Sequence, residues 1–249
     1  MNNTTTALKS TPKLACALSF AILSAPAMAA ITYVDAAEGA SGNAFATGGS
    51  LAVTNWRDTT STGGIEDQWE RRAFANETTV FQALHEVVTS DEMPQLTTEI
   101  TALADGTYTM WAFYWDQVTS SSQNWTLSTG LTSGALASYS SPGHPAIVGA
   151  STTGVSTTGV SSATTLSFTT AVQTVDTVNR EMFGVNLGNV TVSGGSTVNV
   201  YVDNLIGNGS LNRTWYDGVG YELAPVPEPS SLALFGLAGA GLLLRRRRS

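Results

Sequence analysis

The 249-residue chain has room for one sizeable domain or two small ones, and only 12% of its residues are charged. Residues 30–226 contain five basic and 18 acidic residues, a formal charge of −13, within a whole-chain charge of −8. So acidic a body would be repelled by phosphate backbones, which argues against a nucleic-acid partner.

The N-terminus has the pattern of a secretory signal peptide. Lys9 and Lys13 precede a short apolar run at residues 14–23, and Ala27-Met28-Ala29 fits the small-x-small cleavage rule. We therefore predict that residues 1–29 direct export through the secretion machinery and are removed. N-terminal sequencing of the exported protein is expected to start at Ala30 or Ile31, and a start at the initiator methionine would contradict this. The only cysteine lies in the removed segment, so the mature chain forms no disulfide.

Residues 30–224 are predicted to form a single domain rich in β-strands. Glycine-rich breaks separate candidate strands, and residues 79–88 suit either a strand or a helix. Residues 107–115 are apolar on both faces, as in a central strand, and place Trp111 and Trp115 in the core. A turn at Asp105-Gly106 predicts a hairpin between residues 97–103 and 107–115. The further candidate strands are residues 51–55, 164–170, 182–187, 197–203 and 213–223.

This succession of strands without a sustained helix predicts an all-β fold, namely one jelly-roll-like β-sandwich. Residues 151–170 differ from the rest because 13 of the 20 are Ser or Thr, and the pentapeptide TTGVS occurs twice in tandem. Such a composition is typical of flexible or glycosylated segments, and we predict a long exposed loop within the domain.

The domain shows no recognisable catalytic or cofactor motif. His85 and His144 are the only histidines, and no HExxH, GxSxG or P-loop spacing occurs. We therefore predict no catalytic residue, no cofactor and no enzymatic activity. A glycosidase-type carboxylate pair leaves no sequence signature, so the acidic residues at 66–70 and 91–92 keep an enzyme as an alternative.

Aromatic and acidic residues give two binding hypotheses. Four tryptophans lie among polar residues and are expected to be partly exposed, where they could contact a glycan: Trp56, Trp69, Trp125 and Trp215. Asp203 and Asp217 are expected near strand ends, where they could hold a structural Ca²⁺, although loop-capping aspartates are the favoured interpretation.

The C-terminus combines three features in order. Prolines keep residues 225–229 extended, and residues 231–244 form an uncharged stretch of 14 residues. As a helix this stretch is about 21 Å long, whereas a bilayer core of about 30 Å needs about 20 residues. Four arginines behind it resist translocation. These features predict a short transmembrane helix that is held only briefly at the membrane.

Together these features resemble the PEP-CTERM sorting signal of bacteria. The resemblance implies that residues 225–249 are recognised by exosortase, a membrane enzyme whose hosts generally make exopolysaccharide. It also implies a transient inner-membrane intermediate, followed by release to the cell surface or the extracellular matrix. The residues that match the signal are Val226, Pro227, Glu228, Pro229, Arg245, Arg246, Arg247 and Arg248.

Two functions of different classes follow. We favour a secreted, non-enzymatic protein of the cell surface or the extracellular polysaccharide matrix, sorted by exosortase. The alternative is a carbohydrate-binding module or a glycan-acting enzyme with the same tail. A polysaccharide pull-down and a reducing-sugar release assay distinguish the two.

Overall fold

The protein is built mostly from β-strands that join in one large mixed sheet. The described part of the chain contains little helix, a single 3₁₀ turn at Ala163–Thr165, so the all-β prediction is confirmed. The computed structural model describes residues 29–36, 43–44, 50–54, 56–57, 69–73, 79–84, 95–117, 124–142, 154–176, 180–204 and 212–225.

The described residues form fifteen strands, which are numbered in chain order. The first eight are β1 Thr32–Asp35, β2 Asn43–Ala44, β3 Ser50–Thr54, β4 Trp56–Arg57, β5 Trp69–Ala73, β6 Thr79–Leu84, β7 Leu96–Thr101 and β8 Gly106–Gln117. The others are β9 Asn124–Gly130, β10 Ala137–Ser140, β11 Val155–Ser156, β12 Val160–Ser162, β13 Arg180–Val192, β14 Val198–Asp203 and β15 Asn212–Leu223. Strands β3, β8, β13, β14 and β15 confirm five predicted strands, and β6 shows that the ambiguous segment is a strand.

The last strand, β15, is the hub of the sheet. The main path of hydrogen-bonded neighbours runs β12-β13-β8-β15-β9-β14-β7-β3-β2. Beside this path β15 also pairs with β1 and β6, so four strands bond to it in all. Its parallel contact with β9 spans only two residue pairs. This contact connects two halves of the sheet, one that contains β8, β13 and β15 and one that contains β7, β9 and β14.

Strand β8 is buried on both faces, as its sequence predicts. Four of its even-numbered residues belong to one hydrophobic cluster, namely Tyr108, Met110, Ala112 and Tyr114. Its odd-numbered aromatic residues Trp111, Phe113 and Trp115 belong to a second cluster. Because side chains alternate across a strand, a strand covered on both sides reads as a continuous apolar run.

The predicted hairpin between the strands now labelled β7 and β8 is wrong. Strand β7 pairs with β14 and β3, whereas β8 pairs with β13 and β15. Ala102 has a φ of 59°, which is uncommon for a residue other than glycine, and Leu103 is buried. The connection therefore carries the chain from one half of the sheet to the other.

The Ser/Thr-rich segment is not simply an exposed loop. It contains the short strands β11 and β12, and both Val160 and Ala163 are buried. The strand predicted at residues 164–170 is also wrong, because a 3₁₀ turn occupies its start. Leu166 and Phe168 beyond the turn pack against the second hydrophobic cluster. Enough apolar residues punctuate the polar sequence to hold the segment against the sheet.

Gly218 permits the close approach of β1 to β15. A Cβ atom at this position would lie 2.3 Å from the backbone oxygen of Val34. The register of β15 against β8 shifts between Tyr216 and Gly218, as in a β-bulge. A side chain at position 218 would therefore force β1 away from the hub strand.

Candidate functional site

The tryptophans predicted to contact a glycan are buried where the structure describes their side chains. Trp69, Trp125 and Trp215 expose 0%, 1% and 5% of their surface, so the expectation of partial exposure is wrong for these three. Trp56 belongs to β4, which pairs with β5, but the structure does not describe its side chain. Polar neighbours in the sequence do not predict exposure of these rings, because strands from elsewhere in the chain cover them.

Trp125 and Trp215 form the centre of an aromatic and cationic stack at the junction of β9 and β15. Their ring centroids are 3.5 Å apart. The guanidinium carbon of Arg180 lies 5.0 Å from the Trp215 ring, and that of Arg213 lies 5.7 Å from the Trp125 ring. The Trp215 indole N–H donates to Gln82 Oε1 at 3.0 Å. Cation–π attraction and the burial of aromatic surface therefore both stabilise the junction of β9 and β15.

This stack was not predicted from the sequence. Arg213 and Trp215 are two residues apart on one strand, which is a local signal for side chains on the same face. Their partners on β9 and β13 are distant in the chain and leave no comparable signal. A stacking platform for sugars needs an accessible ring face, whereas these rings are covered by each other and by guanidinium groups. Glycan contact by the tryptophans stays a prediction.

The two aspartates considered for Ca²⁺ lie on different strands. Asp203 ends β14, as expected, but Asp217 lies inside β15, so its predicted place near a strand end is wrong. Asp217 is 1% exposed and accepts a hydrogen bond of 2.5 Å from the Tyr33 hydroxyl. No cluster of three or more histidine, cysteine or acidic residues suited to a metal occurs within the described ranges. The Ca²⁺ hypothesis stays a prediction.

One pair of carboxylates lies directly opposite each other across two strands. Asp116 of β8 pairs in register with Glu181 of β13. The Ser141 hydroxyl donates to Asp116, and the Ser162 hydroxyl donates to Glu181. Asp116 is fully buried, so its carboxylate is closed to a polymeric substrate in this conformation, whereas Glu181 is partly buried. Both histidines and the acidic side chains at 66–70 and 91–92 lie outside the description.

Three tyrosines lie near buried or partly buried aspartates: Tyr114 and Tyr216 are buried, and Tyr33 is partly buried. Burial raises the pKa of Tyr33 well above its usual value of 10.0, and the negative charges of Asp217 and Asp35 raise it further. Burial and the charge of Asp116 raise the pKa of Tyr114 in the same way. Burial also raises the pKa of Tyr216, whose hydroxyl lies 2.7 Å from the Thr98 hydroxyl. These phenols therefore stay neutral in the folded state at pH values at which an exposed tyrosine ionises.

We expect the folded domain to lose stability at alkaline pH. A tyrosine whose pKa is higher in the folded state than in the unfolded state stabilises the folded domain. This stabilisation is fully present below about pH 10 and is lost as the pH rises through the folded-state pKa. Tyr114→Phe is the sharpest test because its buried hydroxyl has no hydrogen-bond partner among the residues that the structure describes. Thermal melts of the variant are expected to show an unchanged melting temperature at pH 7. At alkaline pH its melting temperature is expected to fall less than that of the wild type. Alkaline melts identical to those of the wild type would contradict this origin.

The two ends of the described chain leave the domain at the same end of the sheet. Strand β1 runs antiparallel to β15 and begins with Thr32 opposite Tyr221. Ile31 is 3% exposed, and its backbone bonds to Ser167 and Thr169. At the other terminus the Ala224 N–H donates to the Thr107 carbonyl at 2.9 Å. The C-terminal tail therefore starts directly after the hub strand.

Residues 225–248 of this tail match the model of a protein family described as the PEP-CTERM protein-sorting motif. The chain carries a PEP-CTERM sorting motif. All eight residues predicted for the sorting signal fall within the match, although residues 226–249 lie outside the structural description. No curated protein and no solved structure matches the chain.

The PEP-CTERM motif is the signal that exosortase recognises, and it marks an exported protein sorted to the cell surface. The signal peptide predicted at residues 1–29 precedes the described strands, and all but its last residue lies outside the description. Within the described ranges, none of the helical structure has the length and apolar character needed to cross a bilayer. The predicted C-terminal helix lies beyond those ranges.

Proposed function

We propose that the chain is an exported, non-enzymatic protein that exosortase sorts to the cell surface or the extracellular polysaccharide matrix. The single observation that carries this proposal is the PEP-CTERM match at residues 225–248. Its position supports the proposal, because the match begins immediately after the last backbone hydrogen bond of the domain, at Ala224. The folded domain is then the delivered part, and the tail is the part that is recognised.

We further propose that residues 30–224 fold as one β-sandwich, with the two halves of the sheet packed face to face. Support comes from the first hydrophobic cluster, which combines Ile100 and Val200 of one half with Met110 and Val219 of the other. The hydrogen bond between Thr98 and Tyr216 links β7 to β15 across the same core. Such packing buries the apolar faces of both halves together.

Intact-mass analysis of the surface fraction in the native host tests the sorting proposal. We expect a mature protein that lacks both residues 1–29 and the apolar tail with its arginines. A mass that still includes residues 230–249 would show an ordinary membrane anchor instead.

Association with the matrix needs a separate test. We expect the domain to co-purify with the host's own extracellular polysaccharide after cell removal, and to release no reducing sugar from it. Release of reducing sugar would instead establish the glycan-acting alternative.

A further inference from the structure

The end of the sheet where the chain leaves β15 forms one defined surface, here called the exit end. It consists of residues 102–105, 193–197 and 223–225. The register joins Gly106 to Val192 at this end of β8 and β13. The Gly194 N–H donates to Asp105 Oδ1 at 2.8 Å and links the two loops. The exit end therefore has a fixed relation to the start of the tail.

The sequence predicts a short and stiff tether between the domain and the apolar tail. Only residues 225–230 separate Ala224, which is bonded to β8, from the apolar stretch at 231–244. Three of the six are prolines, and an extended proline-rich chain spans about 3.1 Å per residue, or about 19 Å in total. A headgroup layer occupies roughly 5–7 Å of this length. While the tail is inserted, the exit end cannot move far from the membrane.

The surface chemistry of the exit end suits such closeness. Asp105 is its only exposed residue with a formal charge, whereas residues 30–226 together carry −13. Leu223 is 58% exposed and is one of two large hydrophobic side chains exposed within the described ranges. An acidic surface is repelled by anionic lipid, while a weakly charged surface with an exposed leucine is not.

We infer that the exit end docks on the outer surface of the lipid bilayer while the sorting tail is inserted. Exosortase then cuts a tether held between a docked domain and the membrane. This inference rests on the proposed function for the insertion of the tail, but it assigns a partner to a surface of the folded domain.

Fluorescence quenching in vesicles tests the orientation without exosortase. The mature chain has no cysteine, so Thr197→Cys at the exit end and Gln173→Cys at the far end each allow one fluorescent label. Gln173 lies beside Thr174, which bonds to Met182. Met182 is ten residues from Val192 along β13, or roughly 33 Å. The sample is the precursor without residues 1–29, which include Cys16, but with its intact sorting tail, in phosphatidylethanolamine and phosphatidylglycerol vesicles with a headgroup nitroxide quencher.

We expect strong quenching of the label at position 197 and little at position 173. Equal quenching at the two positions, or stronger quenching at position 173, would overturn the inference. Precursor without residues 231–249 is the control for quenching that does not depend on the tail, and it should show no quenching at either position.

Matched charge variants test the contact in the native host. Ala104→Glu with Thr197→Glu adds two acids to the exit end, and Ala171→Glu with Gln173→Glu adds two to the far end. Charge repulsion acts within a Debye length of about 8–10 Å, so only the first pair is expected to slow tail removal. A spacer inserted after Ala224 should restore the rate.

Equal rates of tail removal in the two double variants would overturn the docking inference. If the wild-type tail is never removed, the proposed function fails, and the vesicle measurement still reports the orientation.

Discussion

Glu228→Ala or Pro229→Ala is expected to leave precursor in the inner membrane that has lost its signal peptide but keeps its whole C-terminal tail. Both residues lie in the matched sorting motif, and the prolines keep the cleavage region extended. Loss of the recognition residues leaves the apolar segment and its arginines in place, so retention continues while cutting stops. Fractionation with intact-mass analysis is expected to show the uncut mass in the membrane and none at the surface.

Replacement of all four arginines from Arg245 to Arg248 with serine is the contrasting variant. The apolar stretch is short for a bilayer core, and the arginines hold it by resisting translocation. Their loss is expected to release uncut precursor into the periplasm. If both kinds of variant gave normally cut surface protein, exosortase recognition through this tail would be refuted.

Trp125→Ala is expected to destabilise the domain by about 3–5 kcal/mol, the usual cost of removing a buried tryptophan. The ring is 1% exposed, contacts Trp215 and lies against Arg213. For a domain of this size the melting temperature should fall by roughly 10 °C. Thermal unfolding followed by circular dichroism measures the change, and Val175→Ala, at a position that is 52% exposed, is the control with little expected effect.

The same variant decides between the core and the glycan-platform interpretations of this tryptophan. If Trp125 is a core residue, its truncation destabilises the domain. The variant molecules that remain folded should then bind polysaccharide as well as the wild type does. Unchanged stability together with lost binding would show instead that the ring is a ligand contact.

Local sequence patterns were sufficient for several elements of the fold. Strand β14 alternates Val198, Val200 and Val202 on one face, and all three are buried. Strand β8 is apolar on both faces and is covered on both. Alternation and continuous apolar runs are properties of consecutive residues, so they can be recognised without knowledge of the partner strands.

Strand partners and the burial of polar-looking segments were not predictable in the same way. The turn before β8 suggested a hairpin, but β7 found its partners at β3 and β14. Trp125 has polar neighbours in the chain and is nevertheless covered by a residue 90 positions away, Trp215. Both outcomes depend on packing between distant segments, which outweighs local turn and neighbour preferences.

Residue order along the chain was sufficient to predict the class of the fold and the sorting signal. The tail could be recognised because its prolines, apolar stretch and arginines act through the order of residues along the chain, and the match at residues 225–248 confirms it. No local pattern predicted that the hub is the last of the described strands or that the tail leaves beside β1. Pairing of β1 with β15 joins residues nearly 190 positions apart, and such contacts arise when distant strands bury their faces together.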